Sequence, residues 1–132
     1  MKLEQILSRT FGVMRIAGGN EYFAPIFEKG TKIPAAKRVE IYPSHNIGHY
    51  RYLECAECRD GHPISPRMWS EIFFPYDPEW NLSTLPTKDN IQEKQYQNNK
   101  VIEEFLCDEN GIITVNLSRE PDSLSVRHEI WK

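Results

Sequence analysis

Two histidines and two cysteines lie close together in residues 45–58, which read HNIGHYRYLECAEC. His45 and His49 are four positions apart, and Cys55 and Cys58 are three positions apart. Structural zinc sites use such pairs of nitrogen and sulfur ligands. A Cys-x-x-Cys pair is also the reactive element of dithiol redox proteins. These residue types therefore allow two chemistries, zinc binding and thiol redox exchange.

The segment between the two pairs argues against both chemistries. Residues 49–55, HYRYLEC, alternate in the way that a half-buried β-strand does. A strand rises about 3.3 Å per residue, so His49 and Cys55 would be separated by roughly 20 Å. A thioredoxin-type pair lies in a βαβ unit, and no such pattern surrounds Cys55 and Cys58. We therefore predict a strand that ends in a buried cysteine. One alternative stays open, a zinc or redox protein that uses His45, His49, Cys55 and Cys58.

Other sequence motifs that mark enzymes are absent. The chain has no Gly-x-Ser-x-Gly nucleophile turn, no His-Glu-x-x-His motif and no glycine-rich loop that could bind phosphate. The carboxylates in the long polar stretch of the chain are of the kind that solvent usually surrounds. We therefore predict that the chain is not an enzyme.

Composition excludes several classes of partner. The formal net charge is −3 and no basic stripe runs along the chain, so nucleic acid is not expected as a ligand. No run approaches the roughly 20 apolar residues of a membrane-spanning helix, and the start MKLEQILSRT does not follow the pattern of a signal peptide. Three cysteines, an odd number, fit a reducing compartment. We predict a cytoplasmic protein with no membrane partner.

Short alternating segments separated by turn residues predict a β fold. The chain has 132 residues, enough for one domain, with nine prolines and seven glycines that favour many turns. Asn110-Gly111 supplies the positive φ that a tight hairpin requires. Segments at this spacing are typical of a β-sandwich or barrel. The segments are FGVMRIAGGNEYFAPIF (11–27, two strands), RVEIY (38–42), HYRYLEC (49–55), KVIEEFL (100–106), IITVNL (112–117) and SLSVRHEI (123–130).

One long stretch interrupts this pattern. Residues 65–99 begin with a possible strand, SEIFF (70–74), and continue as a polar segment that contains several prolines. A loop of that length inside a compact domain usually serves a function. We therefore expect one long irregular insertion at about residues 62–100.

Two motifs near the ends of the sequence occur in the same order in one known family. The first is FGVMRIAGG (11–19), an apolar strand that reaches a Gly-Gly turn, followed by PIFEKGTKIP (25–34) with an Ile-Pro corner. The second is IEEFLCDENGIITVNLS (102–118), which contains an Asp-x-Asn-Gly-Ile turn, followed by SLSVRHEI (123–130). In order and separation these segments resemble the peptide-binding β-domain of the DnaK-type (heat shock protein 70) chaperones. Gly30 stands where that family has asparagine, a mild change because both residues tolerate a left-handed backbone.

The resemblance implies both a fold and a function. The fold would be an all-β, antiparallel sandwich of two sheets with about eight strands. The function would be that of a molecular chaperone domain, which binds an extended, unfolded polypeptide between two loops, at residues 15–20 and 43–49, over an apolar pocket. Carried over position by position, the peptide-binding residues are Val13, Ile16, Ile41, Ser44, Tyr50, Tyr52 and Val101.

Several of these positions differ from the family pattern. Tyr50 and Tyr52 stand where the family has small aliphatic residues that line the central pocket. The two tyrosines either fill that pocket or shape it for a different ligand. Ser44 stands where an alanine arches over the peptide. Val13, Ile41 and Val101 are equally consistent with ordinary core positions.

The resemblance also implies how the chain is divided and what it works with. Residues 1–9 would be the remnant of an interdomain linker, and residues 10–132 the peptide-binding domain. We expect the chain to belong to a longer chaperone-like protein whose own nucleotide-binding domain binds ATP, with no cofactor or metal in these residues. The main alternative is a docking module in which the insertion, with Trp69 and Trp80, binds one folded partner.

Overall fold

The computed structural model describes residues 5–17, 20–81, 83–94, 99–120 and 122–130, without the side chains of residues 16, 17, 68 and 69. Within these residues the regular structure consists of ten β-strands and one turn of 3-10 helix, η1. The elements are β1 (Thr10–Ala17), β2 (Asn20–Phe27), β3 (Ala35–Ile41), β4 (Ile47–Cys55), β5 (Glu57–Arg59), β6 (His62–Ile64), β7 (Arg67–Pro75), η1 (Lys88–Asn90), β8 (Lys100–Cys107), β9 (Ile113–Glu120) and β10 (Ser125–Glu129).

Eight of these strands form two antiparallel sheets of four strands each. The first sheet has the order β2-β1-β4-β7, and the second has the order β10-β9-β8-β3. The short strands β5 and β6 pair with each other as a separate hairpin. The two large sheets pack face to face and do not close into a barrel. The predicted β-sandwich of about eight strands is therefore confirmed.

The core lies between the two sheets and follows from alternation along the strands. Each strand presents every second residue to the interior, as in Ile113, Val115 and Leu117 of β9, which are at most 1% exposed. Aromatic rings fill the centre, where Tyr52 stacks on Phe11 with ring centroids 5.9 Å apart. The same alternation makes the facing residues of the two sheets the main source of hydrophobic stabilisation.

A smaller apolar cluster lies on the other face of the first sheet. It contains Phe23, Leu53 and Cys55, all nearly inaccessible to solvent. The β5–β6 hairpin covers it, and the Phe23 amide donates to the Gly61 carbonyl at 2.8 Å. The predicted strand with a buried cysteine at its end is therefore confirmed in β4.

The hairpin between β8 and β9 forms as its turn residues predict. Gly111 has φ +80°, a conformation that favours glycine. The Asp108 carboxylate accepts hydrogen bonds from the amides of Asn110 and Ile112 at 2.8 and 2.9 Å. These contacts fix the turn that sets the register of the two strands.

The insertion expected at residues 62–100 begins with regular structure. β6 closes the small hairpin, and β7 adds a fourth strand to the first sheet beside β4. The possible strand at 70–74 is therefore confirmed as part of β7. After Pro75 the described part of the insertion is irregular apart from η1.

A buried arginine of the sandwich forms hydrogen bonds with the start of this irregular part. Arg119 of β9 is 2% exposed. Its Nη1 donates to the carbonyls of Pro75 and Asp77 at 2.6 and 3.0 Å. Its Nε and Nη2 donate to the Asp122 carboxylate at 2.7 to 3.0 Å. Every polar edge of the buried guanidinium therefore faces an acceptor, as burial of a charge requires.

The first described residues pair with the segment before β3. Ile6 and Lys32 form an antiparallel bridge, and the Leu7 amide donates to the Thr31 carbonyl at 2.9 Å. Leu7 also packs against the main core. The assignment of residues 1–9 to a linker stays a prediction. In the described residues no helix is both long enough and apolar enough to cross a membrane.

Candidate functional site

A groove of about 370 Å³ opens at one end of the sandwich. One wall comes from the end of β1 and the start of β2, and the opposite wall from the loop that joins β3 to β4, called the 42–46 loop below. Residues from the start of β4 form the floor, and η1 contributes to the rim. The groove therefore lies between the segments that the resemblance assigns to peptide binding.

The predicted site residues divide between the groove and the core. Ile41, Ser44 and Tyr50 line the groove. Val13, Tyr52 and Val101 lie in the core, each at most 1% exposed. The side chain of Ile16 is outside the described residues, although its backbone pairs with Glu21.

The two tyrosines fill the space between the sheets. Tyr50 is 2% exposed and Tyr52 is fully buried. Their rings stack with centroids 5.8 Å apart, and Tyr52 meets Phe105 edge-on at 6.2 Å. Tyr50 therefore closes the floor of the groove, and Tyr52 lies behind it in the core.

A third tyrosine completes this floor. The ring of Tyr76 meets the ring of Tyr50 edge-on at 6.2 Å, and the two hydroxyls are hydrogen-bonded. Gly48 allows this contact because a Cβ at that position would collide with the Tyr76 ring. The floor of the groove is therefore aromatic, with polar hydroxyl groups.

An ion pair lies beside these tyrosines. Arg15 lines the groove, and its guanidinium donates to the Glu103 carboxylate at 2.6 and 3.2 Å. The Glu103 side chain has no exposure to solvent, while that of Arg15 keeps 20%. Burial alone would lower the pKa of Arg15, but the hydrogen bonds and charge of Glu103 raise it above its ordinary value. Arg15 therefore keeps its charge.

The phenol groups around this pair keep their protons. Burial raises the pKa of Tyr50 well above its ordinary value, and the neighbouring Tyr76 and Glu103 raise it further. Burial and Glu103 raise the pKa of Tyr52 in the same way. Among the described residues, the Tyr52 hydroxyl has no hydrogen-bond partner. A buried polar atom of this kind is unusual in a folded protein.

The upper part of the groove carries exposed aromatic and charged side chains. Tyr42 is 74% exposed and Tyr22 is 37% exposed. Arg51 forms an ion pair with Glu21, and Lys88 of η1 stands at the rim. The groove therefore combines a mixed aromatic surface with several cationic groups.

The 42–46 loop is held by the chain's own insertion. The Asn46 amide donates to the Gln92 carbonyl, and the Lys94 amide donates to the Ser44 carbonyl, both at 3.0 Å. The Asn46 side chain accepts from the Gln92 amide at 2.7 Å and donates to the Asn90 carbonyl at 3.0 Å. Residues 90–94, called the strap below, therefore run antiparallel to the loop and bond to its backbone.

The sequence placed Arg15 in an enclosing loop but not among the peptide-binding residues, and it missed Glu103, although both positions carried a readable signal. Arg15 is in phase with Phe11 and Val13 along β1, and Glu103 is in phase with the buried Val101 and Phe105 along β8. A charged residue at an inward position needs a partner of opposite charge. Period-two alternation could therefore have placed both charges in the interior.

Other missed residues carried no local signal. Tyr76 follows β7, of which only residues 70–74 were predicted as a strand, and Lys88 and Ile91 lie in the irregular insertion. Their place in the groove depends on contacts between distant segments.

The histidine and cysteine pairs occupy opposite ends of β4. His49, near the start of the strand, stacks on Phe73 at 4.4 Å and contacts Glu71 at 3.0 Å. Cys55 ends the strand in the small cluster, with Cys58 against it. In the part of the chain that the structure describes, no three His, Cys, Asp or Glu side chains are grouped as ligands of one metal ion.

A larger concavity, of about 600 Å³, lies on the outward face of the second sheet. Its surface is formed by outward side chains such as Arg38, Leu106 and Arg127. These residues belong to continuous strands of one sheet, so no loops enclose this surface. The groove is the better candidate because it lies between separate segments and is lined by Arg15, whose carboxylate partner is fully buried.

No protein-family model and no curated protein matches this sequence. The resemblance to chaperone domains therefore depends on the quoted motifs.

Proposed function

We propose that this chain is the peptide-binding β-sandwich of a divergent DnaK-type chaperone, and that its groove holds an extended, unfolded polypeptide segment. The observation that carries the proposal is the position of the groove. It lies between the end of β1 and the 42–46 loop, where the resemblance places the peptide. The proposed role is in protein folding and involves no catalysis by this chain.

The surface of the groove supports this role. An extended peptide binds through its backbone polar groups and places alternate side chains on the surface below. Tyr42 and Tyr22 offer large exposed rings, and Ile41 is half-buried beside them. Aromatic surface of this kind accepts side chains of many shapes, which suits a ligand of variable sequence.

The groove is shallower than the apolar pocket that the resemblance implies. Tyr50 closes the floor, so a leucine side chain of the peptide has no deep apolar cavity to enter. We propose that the peptide lies on the aromatic surface and contacts Tyr42 and Tyr22. Affinity then comes from surface contacts, and we expect a preference broader than leucine alone.

Fluorescence anisotropy with a labelled extended peptide tests this proposal. Tyr42→Ser removes an exposed groove ring, and affinity is expected to fall about fivefold or more, since interface aromatic residues commonly contribute over 1 kcal/mol. Leu85→Ser is the matched control, because Leu85 is 85% exposed but does not line the groove. No measurable binding by the unmodified protein would sink the proposal.

The same pair of variants addresses the second candidate function, a docking module in the insertion. Leu85 is the most exposed large hydrophobic side chain among the described residues and lies in the insertion. The Trp80 indole instead donates to the Thr84 carbonyl at 2.9 Å, within its own loop. If Leu85→Ser weakens binding and Tyr42→Ser leaves it unchanged, docking through the insertion is favoured.

The proposal assigns ATP to a separate nucleotide-binding domain of a longer chaperone. In this assignment the β-sandwich holds no nucleotide, metal or other cofactor. The partners are the unfolded polypeptide and that nucleotide-binding domain, in the cytoplasm. Nucleic acid and membrane are not partners in this proposal.

A further inference from the structure

The backbone of the 42–46 loop already has a ligand in this structure. The Ser44 carbonyl accepts from the Lys94 amide, and the Asn46 amide donates to the Gln92 carbonyl. His45 and Glu93 form the antiparallel bridge between these two bonds. The strap thus pairs with the loop in the way that an added β-strand pairs with a sheet edge.

The strap also occupies groups that an external peptide would need. These groups are the Ser44 carbonyl and the Asn46 amide, and the Asn46 side chain bonds to the strap at two further atoms. The Asn46 carbonyl instead accepts from the amides of Tyr76 and Asp77, at 2.8 and 3.0 Å, which lie outside the strap. The backbone groups of Ser44 and Asn46 that face the strap are therefore satisfied from within the chain. An extended peptide can bond to these groups only when the strap leaves them.

The strap is attached chiefly by hydrogen bonds, three of them to Asn46, which is 8% exposed. Gln92, Glu93 and Lys94 are exposed, and Ile91 alone is half-buried, where it contributes to the groove wall. Lys94 also contacts the Asp77 carboxylate at 3.0 Å. A segment that buries little apolar surface opens at a lower free-energy cost than one packed in the core.

We propose that the strap is a resident ligand of the loop, so that the loop is a β-pairing site whose external ligand is an extended peptide competing with residues 90–94. This inference rests on the proposed function of the groove. It adds that peptide binding requires displacement of the strap. It also defines the ligand chemistry, an extended peptide with an aliphatic residue at the position of Ile91 and a lysine three residues later.

The test weakens the strap without altering the loop. Lys94→Pro removes the amide that donates to Ser44, and proline keeps the preceding residue extended. Lys94→Ala is the matched control, because it removes the side chain but keeps the amide. The probes are a labelled peptide with the sequence of residues 88–94, KDNIQEK, a scrambled peptide of the same composition, and a leucine-rich extended peptide. Circular dichroism and thermal unfolding establish that each variant is folded.

Lys94→Pro is expected to bind KDNIQEK and the leucine-rich peptide more tightly than Lys94→Ala does. The expected gain is about two- to tenfold, the range that one backbone hydrogen bond contributes to an equilibrium constant. The scrambled peptide should bind more weakly than KDNIQEK. Hydrogen exchange should show reduced protection of the Asn46 amide in Lys94→Pro alone.

Three outcomes would overturn the inference. If both variants bind the leucine-rich peptide equally, the strap does not compete and the proposed function stands. If KDNIQEK and its scrambled form bind equally, the loop does not select the strap sequence. If no variant binds any peptide, the inference and the proposed function fail together.

Discussion

Arg15 and Glu103 form a two-pronged ion pair between the sheets, with Nη2 and Oε1 2.6 Å apart and Nη1 and Oε2 3.2 Å apart. The carboxylate is fully buried, whereas the guanidinium also lines the groove. The pair therefore connects the interior of the sandwich with the candidate site. Changes at either residue are expected to affect both stability and the shape of the groove floor.

Removing one member of this pair should be costly. Glu103→Ala leaves the half-buried Arg15 guanidinium without its partner and removes a fully buried side chain, and we expect a loss of about 3 kcal/mol in the free energy of unfolding. Urea denaturation measures this loss. The double variant Arg15→Met with Glu103→Leu should recover most of it, because it removes both charges. Glu104→Ala, on the exposed face of the same strand, is the control and should change stability by about 0.5 kcal/mol or less. Equal stability of Glu103→Ala and Glu104→Ala would contradict this account.

Removal of the hydroxyl group should lower the stability of the fold at Tyr50 but not at Tyr52. Tyr50→Phe breaks the hydrogen bond to Tyr76, and we expect a loss of about 1 kcal/mol or more. Tyr52→Phe removes a buried hydroxyl that has no partner among the described residues, so stability should be unchanged or rise by up to about 1 kcal/mol. Thermal and urea unfolding of the two variants measure the difference. A larger loss for Tyr52→Phe than for Tyr50→Phe would show that the Tyr52 hydroxyl has a partner.

A smaller residue at Tyr50 should deepen the groove. Tyr50→Val removes the ring that closes the floor, and the affinity for a leucine-rich peptide is expected to rise relative to the unmodified protein. The variant should also lose about 3–5 kcal/mol of stability, as aromatic truncations in a core do. Peptide titrations below the unfolding temperature measure the affinity. A folded Tyr50→Val protein with unchanged affinity would mean that groove depth does not limit binding.

The contact between Arg119 and Asp122 should contribute to acid sensitivity. Hydrogen bonds from Arg119 lower the pKa of the Asp122 carboxyl. The unfolded chain therefore binds this proton more readily, so the contact stabilises the fold above the ordinary aspartate pKa of about 3.9. That stabilisation is lost as the pH falls through the lower pKa of the folded state. Asp122→Asn should therefore lose less stability than the unmodified protein between about pH 5 and pH 2. Urea unfolding across this range provides the comparison, and parallel pH profiles would exclude a contribution from Asp122.

Much of the sandwich could be predicted from local sequence. Alternation in β8 and β9, with Gly111 between them, specifies strands, their inward faces and the turn at once. The strand from Ile47 to Cys55 was predictable for the same reason, because its alternation places Tyr52 inward and Leu53 outward. These features depend on residues that are neighbours in the sequence.

The groove could be predicted only in part, because it depends on distant contacts. Nothing local indicates that Arg15 meets Glu103, since the packing of one sheet on the other determines which inward residues face each other. Tyr76 joins the floor because β7 ends beside the start of β4. The pairing of the strap with Asn46 is likewise set by the path of the irregular insertion.

The strap and the 42–46 loop belong to one chain, and this covalent link sets how strongly the strap competes with an external peptide for the loop. A tethered segment meets its binding site at an effective concentration that linker length sets, commonly about millimolar for short flexible connections. That concentration does not change when the protein is diluted. A free peptide with the same intrinsic affinity as the strap must therefore exceed this effective concentration, so the apparent dissociation constant reports the tether as well as the contacts in the groove.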